Sequence, residues 1–137
     1  MTKALYDKGR EGFLDGSIDW DTGDIKVVLV DKDDYAVNLA THTYLSDVPA
    51  GTRVATTANL TGKTVTAGVA DAADTVFSAV SGDVCEALII YQDSGAPASS
   101  RLIVYIADEP TMGLPITPNG LDINLTFDNG ANKIFKL

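Results

Sequence analysis

Residues 121–137 read LDINLTFDNGANKIFKL, and the first half alternates without a break: Leu121, Ile123, Leu125 and Phe127 are apolar, while Asp122, Asn124, Thr126 and Asp128 are polar. A period of two marks an extended chain with one buried and one solvated face. Asn129-Gly130 follows, the pair best suited to positive φ at both centres of a type I′ turn. The stretch therefore predicts a β-hairpin with ANKIFKL as its returning strand. Ile134 should join the buried face, with Leu137 as a further candidate. Since no polar tail follows Leu137, the last strand is expected inside the fold or against a partner.

Working back from this end, the richest apolar segments are CEALIIYQ (85–92) and RLIVYIAD (101–108), which the loop DSGAPASS joins into a second predicted hairpin. Ala87 to Tyr91 and Leu102 to Ile106 are apolar at every position, so both faces of these strands must be covered. One face can pack on an opposing sheet; the other calls for an N-terminal helix or another subunit. IKVVLVD (25–31) has the same character and predicts a central strand. RVATTANL and KTVTAGV, separated by Thr61-Gly62, predict a third hairpin with Ala58, Leu60, Val65, Ala67 and Val69 inward. TVFSAV (75–80) is a further strand, and Tyr35 to Leu39 a short extended piece. THTYLSDV (41–48) offers one or two helical turns before a β-turn at VPAG, and EPTMGLPITPNG, with three prolines and two glycines, is an irregular crossing.

Residues 3–14, KALYDKGREGFL, predict a helix with Thr2 as N-cap, Leu5 and Phe13 on one face and Gly16 ending it. Gly9 and Gly12 each cost about 1 kcal/mol relative to Ala there, so docking must stabilise the helix. Eight or nine closely spaced strands without βαβ alternation give an all-β antiparallel sandwich of Greek-key or jelly-roll type. The 137 residues make one domain: an N-terminal helical arm over 1–18 and the sandwich over 19–137.

Ten basic and nineteen acidic residues give a formal charge of −9, the wrong sign for phosphate backbones, so nucleic acid is not an expected partner. No run reaches the 18 apolar residues of a membrane span, and the N-terminus has no signal-peptide core, so no membrane partner is expected and synthesis is placed in the cytosol. Cys85 has no partner in the chain and reads as a buried thiol.

Asp19, Asp21 and Asp24 invite a calcium reading, but their spacing lacks the alternation and terminal Glu of an EF-hand. Turn formation and capping explain them better, and Asp31, Asp33 and Asp34 are weaker metal candidates still. His42 is the only histidine, and no strained elbow or helix start accompanies Cys85, so a Cys–His nucleophile pair lacks local support. Trp20 and Tyr35 are candidate sugar-stacking platforms, with core anchoring as the competing reading. No catalytic residue and no cofactor is expected.

ALYDKGREGFLDGSIDW (4–20), NLATHTYLSDVPAGTRVAT (38–56) and LPITPNGLDINLTFDNGANKIFKL (114–137) together resemble a family of small tailed-bacteriophage virion structural proteins. The resemblance implies a head decoration, or cement, protein: a β-sandwich made in the host cytoplasm that settles on the capsid surface as a dimer or trimer. Its implied partners are the major capsid protein and its own copies, and no functional residues carry over. One alternative is a tail, neck or fibre module, with Trp20 or Tyr35 binding carbohydrate. Another is a hydrolase using paired aspartates such as Asp19 and Asp21, which no constellation in the sequence supports.

Overall fold

The computed structural model describes residues 2–137; Met1, the first residue of the expected arm, lies outside the described residues. In chain order it contains β1 (Thr2–Leu5), α1 (Asp7–Asp15), β2 (Ile25–Val30), β3 (Arg53–Thr56), β4 (Thr64–Thr66), β5 (Val69–Asp71) and β6 (Thr75–Phe77). β7 (Ala87–Gln92), β8 (Arg101–Ala107), β9 (Ile123–Leu125) and β10 (Phe135–Lys136) complete the set, with short 3-10 turns at Leu45–Asp47, Ala50–Thr52 and Pro110–Met112. All strand pairs are antiparallel, so the fold is all-β and sandwich-like with one short helix, as the patterning predicts.

The first layer is a five-stranded sheet in the order β1-β8-β7-β2-β3, which puts the three most apolar strands at its centre. Val27, Leu29, Leu88, Ile90 and Ile106 line one face and meet the second layer. Val28, Val30, Ala87, Ile89 and Tyr105 line the other. What covers this other face is neither the helix nor a second subunit. The segment between β2 and β3 folds over it, burying Tyr35, Leu45 and Val48, and Tyr6 joins them. That segment is pinned by its backbone: the Leu45 N–H donates to Ser100 O at 2.8 Å, and the Leu102 N–H donates to Thr43 O at 2.9 Å.

The second layer consists of two small sheets, β10-β5-β4 and β6-β9, and here the predicted hairpins give way. β3 pairs with β2, leaving β4 to turn back on β5 through Ala67-Gly68 at φ 53° and 78°. Of the residues expected inward, Leu60 is buried, but Val65, Ala58 and Ala67 are exposed. β9 and β10 form no hairpin either: β9 pairs with β6, and β10 with β5. Instead of a type I′ turn at Asn129-Gly130, the Asp128 carboxylate accepts the Gly130 N–H at 3.0 Å, and the Lys133 N–H returns to Gly130 O at 3.1 Å. The flanks of β9 are bonded elsewhere, since the Phe127 N–H donates to Asp74 Oδ1 and the Val80 N–H to Leu121 O. Alternation still sorts the side chains, with Ile123, Leu125, Phe127 and Ile134 buried, but Leu121 and Leu137 remain exposed.

The N-terminal helix starts later than its pattern suggests, because residues 2–5 pair with β8 as an edge strand, from Thr2↔Ala107 to Leu5↔Val104. Thr2 is therefore no cap; Tyr6 occupies that position, and Gly16 ends the helix at φ 82°. Gly9 and Gly12 form the docking face. β8 bulges where Ile90 pairs with Val104 and Tyr91 with Leu102, leaving Ile103 as an extra residue. Ile103 O accepts the Tyr6 N–H at 2.9 Å, and a Cβ on Gly9 would lie 2.8 Å from Leu102 O and 3.0 Å from Ile103 Cα. The helix can approach the bulge this closely only with no side chain at that position.

Candidate functional site

The aspartates singled out in the sequence are spent on local structure. Asp19 accepts from the Thr22 hydroxyl at 2.6 Å and the Thr22 N–H at 3.2 Å, and these bonds, the hydroxyl first, hold its carboxyl below the usual carboxylate range. Asp24 flanks Lys26, whose ammonium bonds Asp93 at 2.6 Å. Asp21 stands exposed on the same turn, and the three do not form a cation-binding set among the described residues. Asp31 and Asp33 do come together, with Glu86 rather than Asp34: one oxygen of each lies within 4.8 Å of the others. Two of these carboxylates already serve the turn after β2. Asp31 accepts the Asp33 N–H at 3.0 Å, Glu86 accepts the Lys32 N–H at 3.1 Å, and the Lys32 ammonium pairs with Asp108.

His42 and Cys85 belong to opposite faces of the central sheet. His42 Nδ1 lies 2.7 Å from the Tyr35 hydroxyl, which also meets the Tyr6 hydroxyl at 3.0 Å beneath the covering segment. Cys85 sits in the core between the layers, where burial pushes its thiol up to about 12. A thiol so raised is the opposite of an activated nucleophile. Trp20 and Tyr35 are buried, so neither presents a ring to a sugar. Trp20 instead donates its indole N–H to Asp71 O at 3.1 Å.

Trp20 is nonetheless part of the most distinctive concave surface. The end of α1 and the turn that follows supply one wall, with Phe13, Ile18 and Trp20; the inner face of the three-stranded sheet supplies the other, with Ala70 and Phe135. Phe135 anchors the two walls together, its ring centroid 5.2 Å from Trp20 in an edge-on arrangement and 5.8 Å from Phe13. Between them lies a groove of about 320 Å³. Val65 and Leu137 stand exposed at its mouth, and Asp19 and Asp21 lie on its rim.

No single periodicity joins Phe13, Trp20, Val65, Phe135 and Leu137 in the sequence, because they come from four separate segments, with only Phe135 and Leu137 sharing one. The only signal available was that four of them read as inward-facing or core-anchoring residues. Chemically the groove can hold aliphatic or aromatic groups and, through Asp19 and Asp21, attract positive charge. Neither a scan against protein-family models nor a search of curated proteins finds a match to this chain.

Proposed function

We propose that this protein is a structural component of a tailed-phage virion, a decoration or cement protein that braces the head by binding across capsid subunits. The observation that carries this reading is a domain that covers both faces of its central sheet within one chain, yet leaves an apolar groove open with Val65 and Leu137 at its mouth. Apolar surface exposed on a fold that has finished its own core is surface available to a partner. The resemblance of residues 4–20, 38–56 and 114–137 to small virion proteins supports the class of partner. Contacts of modest strength, repeated over a lattice of identical subunits, brace a shell through multivalency rather than through any one bond.

Quantitative mass spectrometry of purified particles, combined with a map of the intact particle, tests the reading. On the order of tens to hundreds of copies over the head is the expected result. Copies confined to one vertex would move the protein to the tail, neck or a fibre. Recovery only in the soluble lysate would remove it from the virion.

A further inference from the structure

β4 is the outer strand of its sheet, and its pairing fixes what it offers to solvent. In a hairpin closed by a two-residue turn, Thr66 and Val69 form the hydrogen-bonded pair next to the turn, and bonded and non-bonded pairs then alternate. Val65↔Ala70 is thus a non-bonded pair, and the N–H and C=O of Val65 point away from β5 along a free edge. The Val65 side chain shares a sheet face with Ala70, which is buried in the core, and Ala70 pairs in turn with Phe135. Val65 therefore ends a core-facing row, yet it is 59% exposed. The row is one strand short.

In the two larger sheets the other outer strands carry charge that discourages further pairing: Lys3 in β1, Arg53 in β3 and Lys136 in β10. β4 is Thr64-Val65-Thr66, and the neighbouring Lys63 is drawn away to Gly23 O and to Asn59 Oδ1. We propose that the free edge of β4 and the adjoining groove form a strand-addition site for an extended segment of a partner protein. The segment's backbone bonds Val65, its apolar side chains enter beside Phe135 and Trp20, and flanking Lys or Arg residues face Asp19 and Asp21. Strand addition draws affinity from the backbone and specificity from the pocket that alternate side chains enter. Charge selects the occupant: the rim is acidic on a chain of formal charge −9, so a basic partner is favoured over a second copy of this chain. The site is a property of the isolated domain and does not depend on the virion reading.

The test uses a fluorescent peptide of about eight residues, valine and threonine alternating between lysine pairs, in anisotropy titrations with the purified protein. Saturable binding tighter than about 1 mM is expected, at least about tenfold stronger than for the same peptide flanked by glutamate. Val65→Pro removes the outward N–H at an edge position that tolerates proline, so it should weaken binding at least about tenfold while leaving the circular dichroism spectrum intact. Asp21→Lys, an exposed change outside the sheets, should reverse the preference between the two peptides even if the proline variant folds poorly. No binding, binding unchanged by Val65→Pro in a folded protein, or no reversal with Asp21→Lys would overturn the proposal. A dimer in sedimentation analysis that Val65→Pro dissociates would also overturn it, by making a second copy the occupant.

Discussion

Gly9→Ala sets two rules against each other. Helix propensity alone favours alanine by about 1 kcal/mol in a helix interior, and α1 is a short helix with two glycines, which should benefit. The packing says otherwise. The added methyl would stand 2.8 Å from Leu102 O, 2.9 Å from Ile103 O and 3.0 Å from Ile103 Cα, all backbone atoms of the β8 bulge. Side chains can rotate away from an intruding methyl, but these atoms move only if the strand or the helix moves. Overpacking of this kind costs about 1–3 kcal/mol, and the rigid neighbours put this case toward the upper end. Subtracting the propensity gain leaves a net loss of about 1–2 kcal/mol, or about 3–7 °C in Tm for a domain of this size.

Thermal and urea melts followed by circular dichroism measure it, with Gly12→Ala and Gly16→Ala as comparisons. At Gly12 the methyl would meet the Ile18 side chain at 2.4 Å, so the loss should be partly recovered by adding Ile18→Val, a non-additive pair. At Gly16 the space is open, and only the φ of 82° opposes a side chain, at a cost of about 1–2 kcal/mol. If Gly9→Ala melts at or above the parent temperature, the helix does not dock through its glycines and the account of α1 is wrong.

Three further outcomes follow from buried and paired groups. Ellman's reagent at pH 8 should label Cys85 only at the rate of global opening, since burial pushes the thiol up to about 12; labelling within the first minute in native buffer would contradict this. Burial raises the phenols of Tyr6 and Tyr35, the latter to about 12, whereas an unfolded tyrosine ionises near about 10. The unfolded chain then releases protons first, so stability should fall as pH rises past about 10, by up to about 1.4 kcal/mol per pH unit for each phenol, and more gently in Tyr6→Phe. Phenolate absorbance that completes its rise before the fold opens would refute it. Asp93 is held below its ordinary value first by the Lys26 ammonium and then by the Gly95 N–H. Its contribution is therefore present above the unfolded value near about 3.9 and lost as pH falls through the folded one. Asp93→Asn should cost about 1–2 kcal/mol at pH 7 in urea melts and flatten the acid limb of the stability profile.

The parts of the fold legible in the sequence were those where one residue pattern has one structural solution. Runs apolar at every position, as in 87–91 and 102–106, can only be strands buried on both faces, and they pair as expected. Their cover was not legible, because Tyr35, Leu45 and Val48 lie in a segment with no regular period, held by backbone bonds to residues far along the chain. The turn chemistry misled in two places. Asn129-Gly130 favours a type I′ turn only if its flanks pair with each other, and here Asp74 and the segment after β6 claim the flank of β9 instead. Thr61-Gly62 lost in the same way to Ala67-Gly68, because β2 had already taken β3. Helix periodicity over 3–14 concealed an edge strand, since a four-residue strand is too short to show a period against a helix that follows it directly. Of the candidate site, the aspartates were visible as turn formers, whereas the groove was invisible because its walls meet only in three dimensions.

These local failures and the open groove have a common cause. Had residues 53–69 and 121–137 each closed as a hairpin, the second layer could have formed one continuous sheet, with Val65 inside it beside a neighbour. Instead β3 completes the first layer and β9 leaves to join β6, so β4, β5 and β10 stand as a sheet of three with one side of Val65 unpaired. α1 and Trp20 then close over Phe135 on β10, covering that edge of the small sheet but not the opposite edge at β4. A Val65→Lys variant would protect the edge as Lys3 and Arg53 protect theirs, and its unfolding free energy in urea melts should stay within about 0.5 kcal/mol of the parent, because Val65 is 59% exposed. A large loss of stability would mean instead that Val65 already belongs to the core and that the row has no missing member.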